Sequence, residues 1–335
     1  MRKPRKMLTK SPYSLPFELK TTAMLSKQLH VPLEVLEHFC DELRHPSSRP
    51  LVHRFNKLCG KKERELYNST CSLKQVNKRI NRMLQKAKLP SEIYGGIRGK
   101  SIKNNALPHI NSRYIYKLDI KNFFPSLHSS KIRELFLRLG CSAQVAKMLT
   151  RLSTADSAVP QGFPTSTILG NLYIAVFCHD EIRKIICGKY TISYWVDDIT
   201  ISSKTPISGQ DIKKITLSIA KHGLKINEKK TEKLGPKDYK EVTGVAVNGT
   251  INPGKILLKA LETELHLLRT QTPESIANAR YGEKCVELRK EKRKSGDWFI
   301  EHTRGRLQHV KSLNKVKGER LTVHYEDVIK AHQIA

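Results

Sequence analysis

The chain has 335 residues, 39% of them apolar, with 15 prolines and 18 glycines, enough for two or three subdomains around one or two cores. Its 61 Lys and Arg against 31 Asp and Glu leave a formal charge of +30, a self-repulsion that a polyanion would offset, so nucleic acid leads the candidate partners and an anionic membrane surface follows. The absence of any apolar window of about 18 residues excludes a membrane-spanning helix. The 13 His and 7 Cys show no HExxH or CxxC spacing, which disfavours zinc and suits the reduced thiols of a cytoplasmic protein.

Residues 1–20 read as a basic, proline-containing arm. Leu25, Leu29, Leu33, Leu36, Phe39 and Leu43 then recur at helical steps, predicting a small helical cap with Pro32 in the first turn of its second helix and a break at 46–50. Residues 51–58 and 64–67 predict two strands around a turn at 59–63, a hairpin carrying Arg54, Lys57, Lys61, Lys62 and Arg64. Ser72 is expected to cap a helix that turns Leu73, Val76, Ile80, Met83 and Ala87 inward. Its outer face, with Lys74, Lys78, Arg79, Arg82 and Lys86, suits a nucleic-acid backbone or plain solvent about equally.

Past Gly95, Gly96 and Gly99, a strand is expected over 113–120, with Tyr114, Tyr116, Leu118 and Ile120 on one face and Ile115, Lys117 and Asp119 on the other. That alternation takes Asp119 off the core side at the strand's end. Phe123 and Phe124 follow, Phe123 read as core and Phe124 as a surface beside the acid. Amphipathic helices are predicted over 131–139 and 142–152, and a Gly-containing turn at 159–166 leads into a long helix over 167–186. Two β-rich runs, 191–196 and 199–202, pinch at Asp197 and Asp198 and predict a hairpin with acid at its tip. A helix over 208–222, closed by Gly223, precedes a strand pair over 241–247 and 250–251 that turns at Asn248-Gly249. From Lys255 onward the pattern is helical: Leu257, Leu261, Leu265 and Leu268 share a face, and a second, very basic helix is expected over 276–294.

Adjacent ionised carboxylates repel and resist desolvation, so a partly buried pair holds a proton, stays wet or finds cations. A hard divalent ion resolves the conflict where a further carboxylate joins from elsewhere, and Asp119 is the candidate. Two β elements delivering aspartates in a very basic chain point to two-metal phosphoryl transfer. The spacing alone does not separate a polymerase from a nuclease.

The ordered motifs resemble a reverse transcriptase palm, of the retron branch. Residues 118–124 resemble the first catalytic motif, Pro160-Gln161-Gly162 the second, Trp195-Val196-Asp197-Asp198 the third and 227–231 the fourth with its lysine. Residues 105–109 match Asn-Ala-x-x-His, and Val242-Thr243-Gly244 matches a second mark of the subgroup. The resemblance implies that Asp119 and Asp197 ligate two Mg²⁺ ions with Asp198 completing the catalytic site. By the same resemblance Phe124 gates against a 2′-hydroxyl, while Gln161 and Gly162 lie under the templating pair. Lys230, or Lys229, protonates pyrophosphate, and Lys57 and Arg64 grip the dNTP triphosphate. Val242, Thr243, Gly244 and the basic second helix of the C-terminal lobe hold the RNA. Asn105 and His109 group with the RNA-facing residues, with bracing of the loop before the palm as their alternative role. Trp195 stands where Tyr is usual, keeping a stacking surface for the primer and losing the hydroxyl, and Tyr194 beside it leaves a one-residue register shift open.

The expectation is therefore an α+β right-hand polymerase fold. It comprises a basic arm and helical cap (1–50), fingers (51–110), a palm (111–240, with further fingers helices around 129–158) and a palm–thumb hairpin with a helical thumb or RNA-recognition lobe (241–335). The implied function is that of a retron reverse transcriptase. It copies its cognate structured non-coding RNA from an internal guanosine 2′-hydroxyl into a branched RNA–DNA product, in antiphage defence with an effector protein as further partner. An intron-type reverse transcriptase and a catalytically idle RNA-binding scaffold are the alternatives.

Overall fold

The computed structural model describes residues 12–45, 51–59 and 62–334. The predicted arm at 1–11, the breaker at 46–50, and Gly60 and Lys61 of the first hairpin's turn lie outside the described residues. The chain divides into two compact units, residues 1–101 with 113–236 and residues 102–112 with 237–335. The sequence reading groups 102–110 with the fingers and 111–112 with the palm; in the structure 102–112 cluster with the second unit.

In the first unit, α1 (Thr22–Leu29) and α2 (Leu33–Glu42) follow the leucine spacing and bury Leu25, Leu29, Leu36 and Phe39. Pro32 sits at the N-cap of α2, one position before the helix. β1 (Val52–Cys59) and β2 (Lys62–Ser69) pair antiparallel. α3 (Cys71–Leu84) buries Leu73, Val76, Ile80 and Met83 as its periodicity requires, but Thr70 takes the N-cap position predicted for Ser72. The chain passes into the second unit through α4 (Ile102–Ala106) and returns as β3 (Tyr114–Asp119), α5 (Phe123–Ser126), α6 (Ser129–Arg138) and α7 (Ala143–Ser153). Ser142 caps α7, its Oγ accepting from Val145 N at 3.3 Å. Ser142→Ala is expected to cost about 1 kcal/mol, read as a fall of a few degrees in melting temperature.

The long helix expected over 167–186 forms as α8 (Ser166–Tyr173) and α9 (Asp180–Ile186), joined by a π-helical turn, Ile174–His179. The central sheet follows with β4 (Thr191–Trp195) and β5 (Asp198–Ser203), the helix α10 (Gly209–Lys221) and the short β6 (Glu232–Leu234). Its order is β4-β5-β3-β6, antiparallel throughout. Strict alternation fails along β3, where Ile115, Leu118, Asp119 and Ile120 are all buried and Tyr114 and Tyr116 only partly so. β3 is an inner strand, paired along both edges, and buried residues fall on both of its faces.

In the second unit, β7 (Glu241–Val242), β8 (Val245–Ala246) and β9 (Asn252–Pro253) make a three-stranded sheet on which α4 packs. Two turns reverse this sheet: the expected one, widened to the loop 247–251 that holds Asn248-Gly249 between the antiparallel partners Ala246 and Asn252, and an earlier one at Thr243-Gly244 between Val242 and Val245 that the sequence reading missed. Thr243 and Gly244 have φ of 49° and 77°, as a two-residue type I′ turn demands. Asn248 braces the later of these turns, its Oδ1 accepting from Lys240 N at 2.7 Å. Then come α11 (Lys255–Leu267), α12 (Pro273–Arg280), α13 (Gly282–Lys290), α14 (Ser295–Leu313) and α15 (Lys315–Ile334). The single basic helix expected over 276–294 is thus two, broken at Tyr281. Leu261, Leu265, Leu268, Ile276, Phe299 and Val310 form this unit's own core. Inside it the fully buried Glu264 accepts from Arg306 Nη1 and from the Tyr281 hydroxyl, each at 2.6 Å, which satisfies a charge that would otherwise be costly to bury. Among the described residues no helix is long and apolar enough to cross a membrane.

Candidate active site

β3, β5 and β4 end together, and their ends carry the acids. Asp119 is the cross-strand partner of Asp198, and Asp198 that of Trp195, so the three side chains share one face of the sheet. Tyr194 pairs with Ile199 on the other face and is buried, which fixes the register and puts Trp195, not Tyr194, beside the acids. Val196 and Asp197 form the two-residue turn, Val196 at φ 59°, a strained position for a β-branched residue. Its surroundings hold it there. Tyr194 N donates to Glu92 O at 2.8 Å, and Tyr94 N donates to Tyr194 O at 2.9 Å. Gly95 lies so close that a Cβ there would stand 2.7 Å from Val196 N. No sequence signal marked this clamp beyond the bare presence of Gly95-Gly96.

Asp119 is buried, contrary to the expectation that it leaves the core side. It is satisfied by the segment after α10: Lys230 Nζ donates to Oδ2 at 2.6 Å, Asn227 Nδ2 to Oδ1 at 3.1 Å, and Asn227 N to the Asp119 carbonyl at 2.7 Å. Ile120 N donates to Asp197 O at 2.9 Å, tying the end of β3 to the acidic turn. Burial raises the Asp197 carboxyl above the usual range, with the charge of Asp119 adding to it. Asp198 is pushed up to about 6 by burial, then by Asp197 and Asp119. Much of the Asp198 side chain is nonetheless exposed, so water screens part of this crowding and its direction matters more than its size. The Lys230 ammonium is raised by its hydrogen bond to Asp119.

A carboxyl raised from 3.8 toward 6 on folding favours the native state below pH 4, and that contribution fades as pH climbs through about 6. In chelator, Asp198→Asn is therefore expected to raise the melting temperature at pH 7.5 and to leave it unchanged at pH 4; an equal shift at both would refute the crowding.

Lys57 and Arg64 are direct partners across β1 and β2, so both point to one side of the hairpin, and the Arg64 charge lowers the Asp197 carboxyl against the other effects. Phe123 is core, and Gly170 leaves room for its ring, since a Cβ there would meet it at 2.6 Å. Phe124 is half-buried against it, ring centroids 5.4 Å apart. Gln161 O accepts from Tyr67 N at 2.9 Å, and Gly162, at φ 124°, would put a Cβ 2.5 Å from Tyr67 O, so the Pro160-Gln161-Gly162 turn is bolted to β2.

The remaining residues belong to the second unit. Asn105, His109 and Val242 are buried, so their side chains pack inside the second unit and not on its surface. Asn105 Nδ2 donates to Thr243 Oγ1 at 3.3 Å, joining the two stretches singled out in the sequence. Burial pushes the His109 imidazole down to about 4, keeping it neutral. Thr243 and Gly244, at the turn, are the more accessible pair.

Among the described residues no three acids, histidines or cysteines converge into a metal cage. The donor set still fits Mg²⁺, which is commonly held by one or two carboxylates together with substrate phosphates. Carboxyls raised by burial, and then by one another's charge, are what such a cation would relieve.

The family of reverse transcriptases (RNA-dependent DNA polymerases) matches residues 59–247. Retron Ec86 reverse transcriptase of Escherichia coli is 30% identical over 217 residues, 62% of this chain and 65% of that protein. Retron Se72 reverse transcriptase of Salmonella heidelberg is 32% identical over 178 residues, 51% of this chain and 47% of that protein. Retron Mx65 reverse transcriptase of Myxococcus xanthus is 28% identical over 273 residues, 74% of this chain and 58% of that protein. The chain thus spans about half to two thirds of the length of these curated relatives.

Proposed function

We propose that this chain, which belongs to the reverse transcriptase family and to its retron branch, is an RNA-directed DNA polymerase that copies a cognate structured RNA into DNA. The observation that carries the reading is the meeting of Asp119, Asp197 and Asp198 at adjoining strand ends within the field of Arg64. Divalent ions, two Mg²⁺ in this reading, would be held by these aspartates, sharpening the primer hydroxyl as a nucleophile and offsetting the triphosphate's charge. The hydroxyl oxygen bonds the α-phosphorus, the bond to the bridging oxygen breaks, and pyrophosphate leaves.

The chain's own residues do the rest. Arg64 and Lys57, side by side on the hairpin, grip triphosphate oxygens. Phe124, stiffened by Phe123, closes the space a 2′-hydroxyl would need. Lys230, its proton held firmly by Asp119, is placed to pass it to pyrophosphate once the Asp119 oxygen is otherwise engaged. Trp195 offers a flat surface to the primer from the face it shares with the acids. The retron relationship supports a product branched from an internal guanosine 2′-hydroxyl, and a defence role with an effector protein.

The test is dNTP incorporation on an RNA template with Mg²⁺, and again in chelator. Metal-dependent extension is expected. A well-folded protein that extends no RNA-templated primer would overturn the reading.

A further inference from the structure

The run 168–178 is apolar apart from Gly170 and Asn171, and Asn171 stands inside α8, where helix propensity disfavours it. It is buried all the same, so its amide needs a partner. Nδ2 donates to Gly95 O at 2.7 Å. A carbonyl can only accept, so the residue at 171 must bring a donor to that point. Thr167, one helical turn earlier, lies on the same face of α8 and fills the space that a Cβ on Gly96 would need. The helix thus presents two side chains to Gly95-Gly96.

The other side of that loop presses on the acidic turn. A Cβ on Gly95 would come within 2.8 Å of Val196 Cγ2, and Tyr94 N and Gly95 N both point to Tyr194 O, at 2.9 and 3.4 Å. Other side chains brace the loop itself: Lys100 Nζ donates to Ser91 O and Ile93 O at 2.7 Å each, and Gln85 Nε2 to Gly96 O at 2.9 Å. Asn171 then fastens Gly95 to the helix. Val196 keeps a left-handed conformation that a β-branched residue leaves unless its surroundings forbid it. On the far side of Asp197, Ile120 N already holds the carbonyl. The clamp therefore fixes the side of Asp197 that β3 does not reach.

We propose that Asn171 is a positioning residue for nucleotidyl transfer: acting through Gly95, it keeps Val196 left-handed and so sets where the Asp197 carboxylate meets the reacting groups. Its effect on rate rests on the polymerase reading; the clamp does not. The triphosphate grip assigned to Lys57 and Arg64 lies on another hairpin, so the loss of Asn171 acts on kcat and leaves KM for dNTP in place.

The experiment compares wild type, N171A, V196G, the double variant N171A/V196G and K100M. Hydrogen exchange followed by mass spectrometry in chelator is expected to quicken at least about tenfold at residues 194–198 in N171A, while β1 and β2 exchange as in wild type. In primer extension kcat should fall about 30-fold, with KM for dNTP and RNA affinity within about twofold, as a displacement of up to about 1 Å at Asp197 predicts. In the V196G background, where glycine takes a positive φ unaided, the same Asn171 substitution should lower kcat less than about threefold. Equal factors in the two backgrounds, or unchanged exchange at the turn, overturn the proposal. Should N171A fail to fold, K100M loosens the same loop from its partly exposed base and must show the same exchange signature. A wild-type pattern in K100M then overturns the proposal. Wild type that extends no primer would sink the polymerase reading, and the exchange result would still decide the clamp.

Discussion

Asp197→Asn is expected to lower nucleotide incorporation at least about 10³-fold while RNA affinity stays within a factor of about two of wild type. The change removes one negative charge and little volume, at a turn whose backbone is fixed by other groups: Ile120 N still reaches the residue 197 carbonyl, and Gly95 still clamps Val196. What disappears is the charge that crowds Asp198 and answers Arg64. The melting temperature in chelator should rise, since a repulsive carboxylate is gone, and this separates the result from misfolding. Primer extension and anisotropy on one preparation decide it. Equal activity of variant and wild type would remove the two-metal mechanism, and inactivity of both would favour the idle RNA-binding scaffold.

The hairpin with Asp197 and Asp198 at its tip was legible because its β-rich runs and the Asp-Asp pinch are local signals, and so were the helices with one apolar stripe, such as α3 and α7. What was not legible depended on partners distant in the chain. Asp119 is buried because the segment carrying Asn227 and Lys230 covers the end of β3, and nothing within 113–120 announces that cover. The reversal at Asn248-Gly249 was expected on propensity and occurs within a five-residue loop, but the second, tighter turn at Thr243-Gly244 was not foreseen. There Asn105, 138 residues earlier, bonds the Thr243 hydroxyl, and Gly254 N donates to Gly244 O at 2.9 Å. Tertiary interactions thus hold a β-branched residue in a left-handed conformation that its intrinsic preference resists. The clamp of Glu92, Tyr94 and Gly95 on β4 escaped for the same reason. α14 and α15 escaped because their apolar stripes are thin and interrupted by charge.

Gly162→Ala is expected to cut incorporation about 100-fold and to lower the melting temperature by roughly 5 °C. Two costs coincide at this residue. Its φ of 124° lies where a side chain is strained, and the added Cβ would stand 2.5 Å from Tyr67 O, a backbone atom that cannot swing aside. Either the turn withdraws, breaking the Tyr67 N to Gln161 O bond, or β2 is pushed outward. Both displace Arg64, three residues along that strand, from the phosphates it must meet, and a shift of about 1 Å is worth about that factor in rate. Because the grip is made with dNTP, the variant should show a raised KM for dNTP together with the lower rate. If Gly162→Ala lost stability alone and kept wild-type KM, the hairpin would not be the triphosphate grip, and Lys57 and Arg64 would need another role.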